Sequence, residues 1–249
     1  MITPTIAALA TAMVACSFLS GIFGMAGGMI LLGILLAVLA LPEAMALHAI
    51  TQMTSNGWRG LLWLRYVRWR SAGGFLAGSA LAFALWSIWG YVPSTALTLV
   101  LLGVAPFVVR LLPAGLKPDP ARPLHGVAVG AASMILMLLA GVSGPLIDTY
   151  FLGGKFERRE IVATKAICQV CCHTAKLVYF GGLVSQAASL DPLLVGVAIV
   201  STVAGTSLAK PVLERLSDAQ YRVWAMRIVT TIACVYIAQG LYQLAIAAN

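Results

Sequence analysis

Two stretches of this sequence carry donor-rich side chains at helical spacing inside apolar surroundings. The first reads His48, Gln52, Asn56, Arg59 and the second Lys165, Gln169, His173, Lys176. Spacing of i, i+4, i+8, i+11 puts each set on one stripe of a helix. Neither stripe contains a carboxylate. Burying Arg or Lys in a membrane-spanning segment costs at least about 2.5–3.5 kcal/mol, so this surplus of donors calls for a negative partner. An anionic ligand is the economical one, and Arg59 can grip an oxyanion through two parallel N–H bonds. The competing account lets Arg59 and Lys176 snorkel to opposite interfaces. Gln52 and Gln169 are the strongest site residues.

Each stripe follows a glycine cluster and a short apolar segment. The clusters are Gly24-Met25-Ala26-Gly27-Gly28 and Gly141-Val142-Ser143-Gly144-Pro145. A helix broken at membrane depth exposes backbone polar groups, tolerable only inside protein or beside a watery cavity. Half-helix N-termini there offer free amides, at Gly27, Gly28 and Gly144, that favour an anion. Close helix packing is the alternative use of such glycines. Asp148 is the one carboxylate placed within an apolar segment. It could relay protons or pair with Lys165 or Lys176, and His48 and His173 are further candidates for proton coupling.

Two other patterns are weighed. Gly141-Val142-Ser143-Gly144 resembles the nucleophile motif of rhomboid intramembrane proteases, with His173 as the base, but Ala26 stands where the second copy would need Ser. Cys168, Cys171, Cys172 and His173 offer soft metal ligands. On a helix, however, Cys168 and Cys172 share a face that Cys171 does not. Small packing residues are the expected account, with no metal and no cofactor.

The elements positioning these residues follow from composition. The 249-residue chain is 61% hydrophobic and 10% charged, with a mean hydropathy of +0.96. Soluble domains are about 45–50% apolar and about 25% charged. A water-soluble enzyme, a disordered chain and a disulfide-stapled domain are excluded. The expected class is all-α, a polytopic helical membrane protein whose partners are the lipid bilayer and a small anionic substrate. Ten apolar segments can be marked: Pro4–Gly24, Gly28–Leu41, Ala44–Trp63, Ser71–Trp89, Pro93–Leu112, Leu124–Ala140, Pro145–Leu152, Ile161–Gly181, Pro192–Ala209 and Tyr221–Ala247. The first is expected to be a membrane segment, not a removed signal peptide. The second and seventh are short or re-entrant, leaving eight to ten spans.

The formal charge of +8 is a topology signal, not a sign of nucleic-acid binding. Arg65, Arg68 and Arg70, then Lys117 and Arg122, then Lys155, Arg158 and Arg159, then Lys210, Arg215 and Arg222 occupy alternate loops. The positive-inside rule makes those loops cytoplasmic and puts both termini outside the cytoplasm. At a fixed offset of 117, Gly24 and Gly27 map onto Gly141 and Gly144, Glu43 onto Glu160, Ala46 and Ala49 onto Ala163 and Ala166, Ile50 onto Ile167 and Gln52 onto Gln169. Each half holds five segments, an odd number, so the repeats are inverted. Residues 1–112 form the first repeat, 113–123 a cytoplasmic connecting loop and 124–249 the second repeat.

From Gly21 to Trp63 and from Gly141 to Gly181, including Val162-Ala163-Thr164-Lys165-Ala166, the chain resembles the TauE/SafE-type sulfite exporter family. It departs from the family where Gly-Val-Ser-Gly-Pro lacks a further Gly and where Lys165 replaces a frequent Ser. The resemblance implies a secondary transporter, as an exporter, for sulfite, thiosulfate or an organosulfonate in a bacterial inner membrane. The site would lie at the midplane between the halves, with Gln52, Asn56, Arg59, Lys165, Gln169 and His173 as donors and the amides of Gly27, Gly28 and Gly144 capping the anion. One half would rock against the other. The competing readings are an anion channel of the same architecture, a metal-ion transporter and an intramembrane protease. The oligomeric state and the coupling ion stay open.

Overall fold

The computed structural model describes residues 4–23, 26–111, 113, 118–183 and 190–247. Gly24, Lys117 and the terminal residues of both repeats lie outside the described residues. The chain forms α1 (Pro4–Phe23), α2 (Ala26–Val38), α3 (Leu41–Leu62), α4 (Trp69–Ser87), α5 (Thr95–Leu111), α6 (Pro123–Ala140), α7 (Gly144–Leu152), α8 (Arg158–Val178), α9 (Pro192–Arg215) and α10 (Asp218–Ala247). A 3-10 turn, Leu64–Tyr66, follows α3, and a π turn, Tyr179–Leu183, follows α8. Among the described residues there is no strand, so the fold is all-helical.

Local chemistry sets the helix ends. Pro42, Pro123 and Pro192 stand in the first two positions of α3, α6 and α9, where a missing N–H leaves no bond unmade. At α9, the Asp191 carboxylate also accepts from the Leu193 amide at 2.8 Å. Glu157 and Glu160 form a reciprocal capping box that starts α8, earlier than the apolar run alone indicates. Gly141 ends α6 with φ +73°, a left-handed conformation costly for any residue with a Cβ. α9 runs to Arg215, past the apolar run that ends near Ala209, because a polar, cationic turn continues it.

At 1.5 Å rise per residue, α2 and α7 are only about 20 and 14 Å long, short of the roughly 30 Å hydrocarbon core. Among the described residues, five helices, α1, α6, α8, α9 and α10, are long and apolar enough to cross a membrane. Leu81, Leu85, Val200, Leu208 and Leu241 point outward, more than half exposed, which suits a lipid surround.

Four helix pairs dominate the packing: α1 along α9, α4 along α6, α3 along α8 and α5 along α10. Glycines set the spacing in three of them, α5–α10 included, where a Cβ on Gly103 would press on the Ala233 carbonyl. A Cβ on Gly78 of α4 would run into the Val127 carbonyl of α6, one on Gly130 of α6 into the Phe75 carbonyl of α4, and one on Gly205 of α9 into the Val14 carbonyl of α1. In lipid, where tails are as apolar as Leu, such close backbone approach is the main source of helix association.

The α4–α6 seam makes a testable contrast. Gly78→Leu should lower the detergent melting temperature, since overpacking costs about 1–3 kcal/mol. Gly73→Ala, with nothing within 4 Å of the added carbon, should leave the melt unchanged or raise it slightly. Equal melts for the two variants would refute the seam.

Candidate functional site

α3 and α8 meet in an antiparallel crossing: His48 near the start of α3 touches Lys176 near the end of α8, and Arg59 near the end of α3 reaches Gln169. Both predicted stripes face this interior. His48, Gln52, Asn56 and Arg59 are 0–3% exposed, and Lys165, Gln169, His173 and Lys176 are 0–4% exposed. Arg59 and Lys176 are thus enclosed by protein instead of snorkelling.

The two end cations are handled alike. Arg59 Nη1 donates to the Ser20 carbonyl of α1 and Nη2 to Asn56 Oδ1, with Gln169 Oε1 at 3.5 Å from Nη2. Lys176 Nζ donates to the Gly141 carbonyl at the end of α6, 2.8 Å away. Ser20 lies in the last turn of α1 and Gly141 caps α6, so both acceptors belong to the carbonyls a helix end leaves unpaired. They also sit at the negative ends of their helix dipoles. Both cations occupy the same repeat position, and both are seated on the helix that precedes a glycine break.

The other end of each stripe differs. Lys165 Nζ bonds Asp148 Oδ1, a buried ion pair joining α8 to α7. Its counterpart His48 has Gly28 O 2.9 Å from Nε2 and Lys176 Nζ 2.8 Å from Nδ1. A carbonyl only accepts, so Nε2 carries the proton and Nδ1 accepts from Lys176. The chain Lys176 to His48 to Gly28 therefore bridges α8, α3 and α2. His173 packs its ring edge-on to His48, with centroids 5.4 Å apart.

Several polar atoms in this region have no hydrogen-bond partner, among them Gln52 Nε2 and His173 Nδ1. Gln52 lies against Gly28, where an added Cβ would come within 2.8 Å of its Oε1. Gly27 backs onto α1, and a Cβ there would enter the Cys16 carbonyl. Its small size is thus used for packing as well. Gly144 is the first residue of α7. The arrangement supplies buried donors, fixed cations and unused amide and imidazole groups, the chemistry of oxyanion binding. Among the described residues, Arg59, Lys165 and Lys176 are fully buried cations, and Asp148 is a buried carboxylate paired with Lys165.

The sequence patterns for other chemistry fare differently. No hydrogen bond joins Ser143 to His173, the geometry a serine nucleophile and its base need. Among the described residues no three of His, Cys, Asp and Glu are grouped to hold a metal ion. Reading side chains alone missed the Ser20 and Gly141 carbonyls, although the glycine breaks mark where helix-end carbonyls gather.

A family model described as Sulfite exporter TauE/SafE matches residues 8–237. Comparison with curated proteins and with solved structures returned no match.

Removing one partner of a buried ion pair costs about 3–5 kcal/mol, because the other charge is left uncompensated. Asp148→Asn should therefore destabilise the protein by that order in a detergent melt. Adding Lys165→Met should recover most of the loss. A melt for Asp148→Asn equal to that of the parent would mean Lys165 is compensated elsewhere.

Proposed function

The chain belongs to the TauE/SafE sulfite exporter family, a family of membrane transporters, and from that premise we propose that it exports a small sulfur-containing oxyanion such as sulfite, thiosulfate or an organosulfonate. The observation that carries this reading is the charge balance of the α3–α8 crossing. Among the described residues, three fully buried cations, Arg59, Lys165 and Lys176, stand beside one buried carboxylate, Asp148, which pairs with Lys165. A carbonyl dipole compensates Lys176 only in part, and a cargo oxyanion supplies further negative charge. Gln52, Asn56, Arg59, Lys165, Gln169 and His173 are its proposed donors, with the amides of Gly27, Gly28 and Gly144 as caps. Lys165, already paired with Asp148, orients that carboxylate away from the anion. Asp148, His48 and His173 are the proposed proton-coupling groups.

We read the architecture as two inverted repeats, residues 1–112 and 124–249, joined by the loop 113–123 and meeting at a midplane site. Exchanging α1–α5 for α6–α10 turns the α1–α9 pair into α6–α4 and returns α3–α8 and α5–α10 to themselves, as inverted repeats require. The basic residues of alternate loops support cytoplasmic loops and termini outside, and the family suggests a bacterial inner membrane.

The same packing changes which bodies move. α1 packs on α9 and α4 on α6 across glycine seams, which ties each sequence half to the other and favours mixed bodies over the halves as the rocking units. The moving bodies in our reading are α1, α2, α3 and α9 on one side and α4, α6, α7 and α8 on the other. Arg59 with Ser20 and His48 with Gly28 lie within the first body; Lys176 with Gly141 and Lys165 with Asp148 lie within the second. The Arg59–Gln169 and Lys176–His48 contacts cross between them and are the ones an entering anion would replace.

Purified protein in detergent tests the site. An anion at 100 times its dissociation constant should stabilise the fold by about 2.7 kcal/mol. That gain should vanish in Gln52→Ala plus Gln169→Ala. A melt that responds to a cation or neutral solute and to none of sulfite, thiosulfate and sulfonate would overturn the reading. Saturable flux with counterflow in proteoliposomes is the expected transporter signature; its absence would favour a channel.

A further inference from the structure

Beyond Arg59, one turn along α3, stands Trp63, 5% exposed. It belongs to an apolar cluster with Val67, Val162, Leu213 and Tyr221, and Phe23 stacks on Tyr221 with centroids 6.4 Å apart. Helices α1, α3, α8, α9 and α10 all contribute to this layer. It closes the crossing on the side of the basic loops.

Two cations lie within 6 Å of the centre of the Trp63 ring. The Arg159 guanidinium lies 5.6 Å from the Trp63 centroid and the Lys210 ammonium 5.8 Å. The order along each helix fixes this placement. α8 runs back from Gln169, beside Arg59, through Val162 in the layer to Arg159, while α9 runs from Thr206, bonded to Ser55 of α3 at 2.9 Å, to Lys210. Arg159 also donates to Tyr66 Oη at 3.1 Å. Among the described residues, no carboxylate lies within 4 Å of Arg159 or Lys210. Glu160 pairs with Arg68, and Glu157 caps α8. A ring face attracts cations, and an anion bound beside the indole would offset the repulsion between two of them.

The opposite end of the crossing lacks this device. At the 117-residue offset Trp63 corresponds to Phe180, which is fully buried one turn past Lys176 and packs edge-on to Tyr179, centroids 5.1 Å apart. The sequence has no Lys or Arg between Lys176 and Lys210, nor between Arg70 and Arg110, so the loops at that end bring none.

We propose that Arg159 and Lys210, held over Trp63, form an oxyanion-capture site at the cytoplasmic mouth, with the Trp63 ring as the gate between it and Arg59. The inference rests on the anion-transport reading above and adds to it a loading side. An anion bridging the two cations is held one helical turn or so above Arg59, and displacement of the indole opens the path inward.

Sulfite flux in inside-out and right-side-out membrane vesicles provides the test. Losing the two charged contacts should raise the half-saturating concentration at least about tenfold. Arg159→Gln plus Lys210→Gln should show that rise when sulfite meets the cytoplasmic face, with the outer-face half-saturation kept. Arg159→Lys plus Lys210→Arg should restore the cytoplasmic value. Sulfite should also quench the part of the tryptophan emission that Trp63→Phe removes, and only while the two cations are present. Unchanged cytoplasmic half-saturation in a transporting double variant overturns the capture site and leaves the transport reading intact. Wild-type protein that neither carries nor is quenched by sulfite, thiosulfate or a sulfonate overturns both.

Discussion

Cations seated on the loose ends of broken helices are the constraint from which the rest of this architecture follows. A membrane interior allows no unpaired charge, and no carboxylate is provided for Lys176. Its ammonium is bound instead by the Gly141 carbonyl and His48, as Arg59 is bound by the Ser20 carbonyl and Asn56. A helix end carries roughly half an elementary charge spread over its last turn. Such a seat holds the cation in place without neutralising it. The glycine breaks therefore have a double purpose: they end α6 where its carbonyls are needed, and they begin the short α7 where its amides can meet an anion.

The glycine seams make those seats rigid. Side chains alone would hold helices some 8–10 Å apart, whereas Gly78 and Gly130 bring α4 and α6 into backbone contact, and Gly205 does the same for α9 on α1. The rigid pairs flank the α3–α8 crossing, itself one of the four main helix contacts, where Arg59 meets Gln169 and Lys176 meets His48. Helix pairs locked by backbone contact can stay intact while polar side chains between them change partners.

Much of this was legible in the sequence. Helical spacing put His48, Gln52, Asn56 and Arg59 on one face because 3.6-residue periodicity is a property of the chain, and the buried stripes follow that face. Helix starts at Pro123 and Pro192 and the stop at Gly141 are equally local. What the sequence could not disclose depends on distance in space. The choice of Asp148 between Lys165 and Lys176 required the angle at which α7 meets α8. The carbonyl seats involve no side chain. That α1 pairs with α9, and α4 with α6, follows from shape matching at glycines far apart in the chain. The Trp63 layer collects residues from five helices, and no periodicity links them.

Symmetry alone would give a device indifferent to direction, since exchanging the repeats exchanges its two ends. Direction enters where the repeats differ. Lys165 with Asp148 on one side answers to His48 with Leu31 on the other, so one short helix carries a neutralised ion pair and the other a neutral imidazole bond. The aromatic closures match in position, Trp63 with Phe180, while the cations outside them do not. Basic residues that orient the chain during insertion thereby acquire a second use: the charge that fixes which end is cytoplasmic also concentrates anions there. An anion arriving at that end meets attraction before the gate and a partly compensated guanidinium behind it. The far end presents apolar and aromatic surface instead, with Phe180 packed edge-on to Tyr179. The two mouths therefore differ in charge, while the gradients that drive the carrier set the direction of net flow.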